Sequence, residues 1–117
     1  MEQSDAVAAL AALAQDNRLD VYRLLVQAGP AGMPAGNVAS ALKLAPNTLT
    51  FHFDRLRHAG LVIVRREGRS MIYAARYDVM NDLLGYLTEN CCQGRECAPT
   101  RCRTSAPSAS RRKEKTT

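Results

Sequence analysis

Apolar residues recur with a helical period in several segments of the first half of the chain, which predicts helices. The first helix is expected over 7–14. The second begins at an N-cap, Asp16 or Asn17, and ends before Gly29-Pro30, because glycine and proline commonly follow a helix C-terminus. A short third helix is expected over 36–42. The inward stripe of the second helix is expected to hold Leu19, Tyr22, Leu25 and Val26.

A fourth helix is predicted from Pro46 to about Ala59, since proline is favoured in a first helical turn and a glycine follows the end. Leu49, Phe53 and Leu56 lie at i, i+4 and i+7 and define its buried face. Two short helices joined by a tight turn, the second with polar residues on its other face, form a helix-turn-helix pattern.

After the fourth helix the pattern changes to β-rich runs over 61–66 and 71–76, separated by a short glycine-containing turn. Such a pair predicts a β-hairpin, and a hairpin directly after a helix-turn-helix is a wing. Asp78 can cap a fifth helix that runs to about Asn90 or Cys91. Its inward positions are expected to be Met80, Leu83, Leu84 and Leu87. The sequence therefore predicts a mainly α fold with a β-hairpin, a winged helix-turn-helix in the order α-α-α-α-β-β-α.

These elements are expected to form one domain over residues 1–92. Residues 93–117 are rich in Ser, Thr, Pro, Arg and Lys without an apolar pattern, which predicts a disordered basic tail. No run reaches the about 18 consecutive apolar residues that a membrane span needs. Residues 1–5 are acidic and polar and lack the basic start of a secretory signal, so a cytoplasmic location is predicted.

Positive charge is concentrated in the middle of the predicted domain. Residues 43–76 carry seven basic and two acidic residues, whereas residues 1–42 carry two basic and four acidic ones. A basic block of this kind is typical of a surface that binds a polyanion such as nucleic acid. The alternative is an ordinary solvated charged surface.

The exposed face of the fourth helix carries side chains suited to the major groove of DNA. Asn47 can pair with adenine, Arg55 with guanine or a phosphate, and Phe51 can contact a thymine methyl group. Residues near the N-terminus of such a helix reach the base edges. Alternatively, Phe51 packs beneath the wing or against another helix. The predicted DNA contacts from this helix are Asn47, Thr48, Thr50, Phe51, His52 and Arg55, with His52 at the border of the buried face.

Three arginines, Arg65, Arg66 and Arg69, lie at or near the tip of the predicted hairpin. Guanidinium groups at a turn suit backbone phosphates or a minor groove. The alternative is that they protect a sheet edge from pairing with another chain. Together with the fourth helix, these arginines predict double-stranded DNA as the partner.

All four cysteines, Cys91, Cys92, Cys97 and Cys102, fall between residues 91 and 102. Clustered thiols in a cytosolic chain indicate a metal or redox site rather than structural disulfides. Thiolates are soft ligands that prefer soft or borderline ions. Gly94 permits a bend that brings Cys97 near the adjacent pair, so these three thiolates are the candidate ligands and Cys102 is a further candidate.

Other interpretations of the cysteines stay open. Four thiolates could hold zinc, although the Cys-x2-Cys pairs usual in structural zinc sites are absent. A disulfide, for example between Cys92 and Cys97, could act as a redox switch, or the thiols could be functionless. Cys97 and Arg103 have the spacing of a phosphatase loop, but the intervening residues contain no glycine and open the predicted tail. We therefore do not expect an enzyme.

The chain resembles the ArsR family of metalloid- and metal-responsive repressors over roughly residues 4–92. The resemblance is carried by 16–21 at the second helix, 50–62 across the fourth helix and 65–69 at the wing. The family signature in the fourth helix is matched by His52, Leu56, Arg57, Gly60 and Leu61. The resemblance implies a homodimer built from the first and last helices, which binds an operator with imperfect two-fold symmetry.

One departure from the family bears on the inducer. The family's arsenic sensors carry a Cys-Val-Cys motif at the start of the helix before the recognition helix, where this chain has Pro34-Ala35-Gly36. Zinc-sensing relatives use Asp and His pairs on the last helix, where this chain has Asp78 and Asp82 but no histidine. The cysteine cluster is therefore expected to be a relocated site for trivalent arsenic or antimony, which releases the repressor from DNA. The alternatives are a divalent-metal- or redox-responsive regulator of the same fold, or an architectural DNA-binding protein with an incidental cysteine tail.

Overall fold

The computed structural model describes residues 1–94, and there it follows the predicted order of elements with one added strand. The helices are α1 (Gln3–Leu13), α2 (Asp16–Ala28), α3 (Ala35–Leu42), α4 (Pro46–His58) and α5 (Tyr77–Leu87), and the strands are β1 (Met33–Pro34), β2 (Val62–Glu67) and β3 (Ser70–Ala75). Helices α3 and α4 form the helix-turn-helix, and the β2–β3 hairpin directly after it is the wing. The predicted winged helix-turn-helix is confirmed.

A glycine motif at the end of α4 fixes where the wing begins. Gly60 has a φ of 81°, a left-handed conformation that glycine adopts without steric cost. Its N–H donates to the Arg57 carbonyl at 2.9 Å, and the N–H of Leu61 donates to the Leu56 carbonyl at 3.0 Å. This pair of hydrogen bonds is a Schellman motif, and both leucines are fully buried. The chain therefore leaves α4 in a defined direction toward β2.

The sheet has the antiparallel order β1-β3-β2, and β1 is the strand that the sequence did not predict. Met33 pairs with Tyr73 and Pro34 with Ile72. A two-residue strand is too short to show a hydrophobic period. The close approach of β1 to β3 depends on Gly32, because a Cβ at that position would lie 2.5 Å from the Tyr73 carbonyl oxygen.

The N-cap of α2 also differs from the prediction. The side chain of Gln15 accepts a hydrogen bond from the Arg18 N–H at 3.0 Å, whereas Asp16 and Asn17 were expected to supply the cap. The helix begins at Asp16, so its carboxylate lies in the first turn. There it interacts favourably with the helix dipole instead of capping a backbone N–H.

The core is formed where the five helices and the sheet meet. Phe53 of α4 stacks on Tyr73 of β3, with ring centroids 3.6 Å apart and ring planes 6° from parallel. The buried residues of α1 are all small, which allows a close approach to its neighbours: Ala6, Ala9 and Ala12. The largest fully buried side chains are Phe53, Leu25, Leu56, Leu61, Leu83, Val21, Val38 and Val62.

Several apolar positions that were expected to face inward are exposed. In α2 the buried residues are Val21, Tyr22 and Leu25, while Leu19 and Val26 are 44% and 38% exposed. In α5 Leu83 is buried and Met80 is partly buried against the core, whereas Leu84 and Leu87 are each 53% exposed. Val7 and Leu10 on α1 are also exposed.

The last helix ends at Leu87, three or four residues before the predicted end at Asn90 or Cys91. The residues that follow are polar, so no apolar face holds them in a helix. The chain divides after Leu87 into two units. The described part of the second unit contains a single turn at Cys91–Gly94, with Asn90, Cys92 and Gln93 at positive φ. The predicted tail from residue 95 onward, with Cys97 and Cys102, lies outside the described residues.

Among residues 1–94, no helix is both long enough and apolar enough to cross a membrane.

Candidate nucleic-acid interface

The N-terminal half of α4 presents an exposed polar face. Asn47 and Thr48 are exposed in its first turn, directly after Pro46 at the N-terminus of the helix. Thr50 is also exposed, and its hydroxyl donates to the Pro46 carbonyl at 3.0 Å. The methyl group and the hydroxyl lone pairs of Thr50 therefore remain for an outside partner.

Phe51 and Arg55 lie on the same exposed face and contact each other. Phe51 is 51% exposed, so the alternative in which it packs beneath the wing is not adopted. The central carbon of the Arg55 guanidinium lies 5.0 Å from the centroid of the Phe51 ring, which is a cation–π contact. This pairing was not predicted from the sequence, although the i, i+4 spacing of the two residues is the signal for it.

His52 differs from the other predicted contacts because its side chain is buried, with 5% of its surface exposed. Neither ring nitrogen has a hydrogen-bond partner among the described residues. Burial lowers the pKa of His52, and the positive charge of Arg18 lowers that pKa further, so the neutral ring is favoured. Since the ring faces the core, we leave His52 out of the interface proposed below.

The two histidines of α4 have different environments. His58 is exposed near the end of the helix, and its Nδ1 lies 2.7 Å from the Asp54 carbonyl oxygen, where an Nδ1–H donates. The Asp54 carboxylate is 3.6 Å from the Arg57 guanidinium. The C-terminal part of α4 is therefore engaged in contacts within the helix, whereas the polar groups of its first turn point to solvent.

The wing arginines lie on opposite faces of the hairpin. Arg66 pairs with Met71 and is two residues from Val64, which pairs with Tyr73, so it belongs to the face that packs on α4. Arg65 belongs to the other face and donates to the Ala31 carbonyl at 2.6 Å.

Arg65 is further fixed by Glu67, whose carboxylate accepts from its Nε at 2.7 Å. Among residues 1–94 the one hydrogen bond that the Arg66 side chain donates is to the Gly68 carbonyl, at 3.3 Å, and Arg69 is exposed in the turn. Arg65 thus has hydrogen-bond partners within the protein. A DNA contact by Arg65 stays a prediction, and it requires the hydrogen bonds to Ala31 and Glu67 to break.

The positive charge of the surface formed by α4 and the wing is only partly neutralised. Its two acidic residues, Asp54 and Glu67, pair with Arg57 and Arg65. Within residues 1–94 no carboxylate oxygen lies within 4.0 Å of the guanidinium nitrogens of the other three arginines, Arg55, Arg66 and Arg69. These three cations are available to an anionic partner.

The structure describes only part of the predicted thiolate site. Cys91 and Cys92 are exposed, and Cys97 and Cys102 lie outside the described residues. Among residues 1–94, no three His, Cys, Asp or Glu side chains come together as a metal site. A three-ligand site that includes Cys91 and Cys92 would therefore need at least one ligand from the remainder of the chain or from a second copy.

Comparisons with known proteins also identify a helix-turn-helix domain in this chain. A family model of a helix-turn-helix domain matches residues 13–65. The uncharacterized HTH-type transcriptional regulator YceK of Bacillus subtilis (strain 168) is 31% identical over 77 residues, which are 65% of this chain and 76% of that protein. The match to the family model includes the whole of α4.

Solved structures share the fold. An ArsR-like transcriptional regulator from Rhodococcus sp. RHA1 matches with a TM-score of 0.68 and 23% identity over 78% of this chain and 83% of that one. The homodimeric winged helix-turn-helix DNA-binding domain of Mb0332 from Mycobacterium bovis, a possible ArsR-family regulator, matches with a TM-score of 0.61 and 23% identity over 80% and 87%. This chain therefore belongs to the helix-turn-helix transcriptional regulators, which bind DNA, and its winged helix-turn-helix fold is the one found in ArsR-like regulators.

Proposed function

We propose that this protein is a homodimeric repressor of the ArsR family that binds operator DNA and is released by trivalent arsenic or antimony. The exposed face of α4 carries the DNA part of the proposal, because its accessible side chains are ones that contact base edges: Asn47, Thr48, Phe51 and Arg55. With α4 in the major groove, the wing contacts flanking phosphates through Arg66 and Arg69.

Exposed apolar residues on α1 and α5 support homodimerisation. Val7 and Leu10 of α1 and Leu84 and Leu87 of α5 are between 42% and 56% exposed, and the two helices contact each other. Burial against a second copy would remove this apolar surface from water. Two copies related by a two-fold axis would present their α4 helices to half-sites about 34 Å apart.

The inducer part of the proposal rests on the chemistry of the thiols. Cys91 and Cys92 are adjacent and exposed, and they follow α5, the helix that we assign to the dimer interface, by only four residues. Trivalent arsenic and antimony are soft ions that prefer thiolate sulfur. Cys97 is the third proposed ligand and Cys102 a further candidate. Such a site requires reduced thiols, in agreement with the predicted cytoplasmic location.

Inducer binding lowers DNA occupancy only if the ion binds the DNA-free form more tightly. Typical coupling free energies of about 1–3 kcal/mol would weaken operator binding by about 5- to 150-fold. Coordination of the residues after α5 would act on the dimer through this helix, and the dimer sets the separation of the two α4 helices. The ion and the operator thus compete through the conformation of the dimer.

The test is a DNA-binding titration of the reduced full-length protein, on a duplex selected by the protein from a random pool, with and without arsenite. We expect wild type to bind the duplex and to be released by arsenite. Cys91→Ser, Cys92→Ser and Cys97→Ser variants should bind DNA as wild type does but no longer respond. Cys102→Ser is the matched control, and loss of its response would assign it as a ligand.

The opposite outcomes separate the parts of the proposal. A reduced protein that ignores duplex DNA at low ionic strength contradicts the DNA part. Release by oxidant alone identifies a redox regulator, release by cadmium or zinc alone a divalent-metal regulator, and no release by any of them an architectural protein. Arsenite release from a variant with all four cysteines replaced contradicts capture by thiolates.

A further inference from the structure

We propose that Phe51 and Arg55 bind DNA as one unit that recognises a thymine and a guanine in neighbouring base pairs. In this unit Phe51 contacts the thymine methyl group and also positions the Arg55 guanidinium on the guanine edge. Phe51 is thereby a specificity-determining residue in two ways. The inference rests on the proposed DNA-binding function and adds the sequence feature that α4 recognises.

The pair is already formed in the protein without DNA. Phe51 and Arg55 are one helical turn apart, where side chains meet on a helix surface, and the guanidinium lies 5.0 Å from the ring centroid. The ring of Phe51 also contacts the buried His52 edge to face, with centroids 5.8 Å apart and planes at 64°. Since His52 is held by the core, it restrains Phe51, and Phe51 in turn restrains Arg55.

The contact leaves the hydrogen-bonding groups of Arg55 available. A guanidinium that packs on an aromatic ring keeps its N–H donors in a planar fork, and that fork matches the N7 and O6 acceptors of guanine. Asp54, the acidic residue next to Arg55 in the chain, contacts Arg57 instead. Ordering Arg55 before binding reduces the side-chain entropy that is lost when it contacts DNA.

The separation of the two groups fits neighbouring base pairs. Successive base pairs are about 3.4 Å apart along the DNA axis, so groups 5.0 Å apart cannot reach bases that are several steps apart. An apolar ring next to a guanidinium matches the methyl group of thymine beside the acceptor pair of guanine. Each half-site of the operator should therefore contain a thymine adjacent to a guanine, on the same or the opposite strand.

The first test selects binding sites from a random duplex pool with wild type, Phe51→Leu, Phe51→Tyr and Arg55→Ala. Wild type should enrich a step with adjacent thymine and guanine. Arg55→Ala should lose the preference for guanine and keep the preference for thymine. Phe51→Leu keeps an apolar contact for the methyl group but has no aromatic face for the guanidinium. It should therefore keep the preference for thymine and show a weaker preference for guanine. Phe51→Tyr keeps the face and should restore both preferences.

The second test measures affinities on the selected duplex. Replacing the thymine by deoxyuridine removes only the methyl group and should weaken wild-type binding about fourfold. The preference for guanine over adenine at the neighbouring position should fall about two- to fivefold in Phe51→Leu, the value of an exposed cation–π contact. In Arg55→Ala it should fall by about fivefold to a hundredfold. Both side chains are exposed, so circular dichroism should show the helical content of wild type for each variant.

Different results of these tests would contradict different parts of the proposal. If wild type enriches no sequence and binds no duplex, the proposed DNA-binding function fails. If wild type enriches a site without adjacent thymine and guanine, the pair does not recognise DNA as inferred, and the proposed function stands. If Phe51→Leu retains the full guanine preference, or weakens binding to all sequences alike, Phe51 does not position Arg55.

Discussion

At the scale of single residues, His52 shows how a neighbour in sequence can have the opposite environment. It follows the exposed Phe51 but is buried, and its ring nitrogens have no hydrogen-bond partner among the described residues. A buried polar group without a partner is costly, and a charged one is more so. The burial of His52 therefore makes the fold sensitive to protons.

The first prediction concerns this proton sensitivity. The folded-state pKa of His52 is lowered from its ordinary 6.5, so the unfolded chain binds the proton more tightly than the folded one. The stability that depends on a neutral His52 is therefore fully present above pH 6.5. It is lost as the pH falls below 6.5 toward the folded-state pKa. The free energy of unfolding should decline by up to about 1.4 kcal/mol per pH unit in that range.

Urea denaturation at a fixed protein concentration, between pH 7.5 and 5.0, measures this decline. His52→Leu, which cannot be protonated and fills the site with apolar atoms, should show a flatter profile than wild type. His58→Gln removes the other histidine of the chain and is the matched control. The hydrogen bond from Arg76 lowers the pKa of Asp78 from 3.8, so the contribution of this pair is constant between pH 7.5 and 5.0 and is lost only in more acidic solution. An undiminished decline in His52→Leu would contradict the assignment.

At the scale of elements, α4 and the wing together define the DNA-binding surface. The Schellman motif at Gly60 sets the direction of β2, and the strand alternation then places Arg66 and Arg65 on opposite faces of the hairpin. Three arginines within five residues around a turn look equivalent in the sequence. The structure separates them, because Arg65 is bound to Ala31 and Glu67.

The second prediction follows from this separation. Arg66→Ala and Arg69→Ala should each weaken binding to all duplexes alike and reduce the slope of log K against log salt by about one, the effect of a lost phosphate contact. Arg65→Ala is the matched control of equal charge and should leave the slope unchanged. Fluorescence anisotropy titrations at several salt concentrations give the slopes. Equal changes in all three variants would show that the hydrogen bonds of Arg65 do not hold it away from DNA.

At the scale of the whole molecule, the apolar residues that the fold leaves uncovered are part of the functional argument. The exposed apolar residues of α1 and α5 lie beside apolar residues of the same helices that are buried or partly buried in the core. Such stripes are wide enough for two partners, one within the protomer and one outside it. The helices of the proposed dimer interface are the two that the family resemblance implies.

The third prediction tests that interface. Leu84→Glu should yield a monomer, because a carboxylate buried between two α5 helices would lose its hydration. Operator affinity should then fall by at least about tenfold, since each half-site is bound without its partner. Leu19→Glu, at a leucine of α2 that is similarly exposed, is the matched control and should remain a dimer. Sedimentation equilibrium measures the association, and a dimeric Leu84→Glu would place the interface elsewhere.

Much of the fold could be predicted from the sequence because it depends on local chemistry. Hydrophobic periodicity gave the helices and the hairpin, and the Pro46 and Gly60 signals gave the limits of α4. These features also placed Asn47, Phe51 and Arg55 on the face opposite the buried one, with Thr48 at its flank. Periodicity follows from backbone geometry alone, so it needs no knowledge of what the helix packs against.

The tertiary structure decided what depends on residues distant in sequence. It paired the two-residue β1 with β3 through the close approach at Gly32, buried His52 and gave Arg65 a partner 34 residues away in the loop at Ala31. It also decided which apolar residues of α1, α2 and α5 are covered. The physical reason is the same in each case. A local pattern specifies a face or a charge, but only the packing of distant segments determines whether that face is buried and which partner the charge finds.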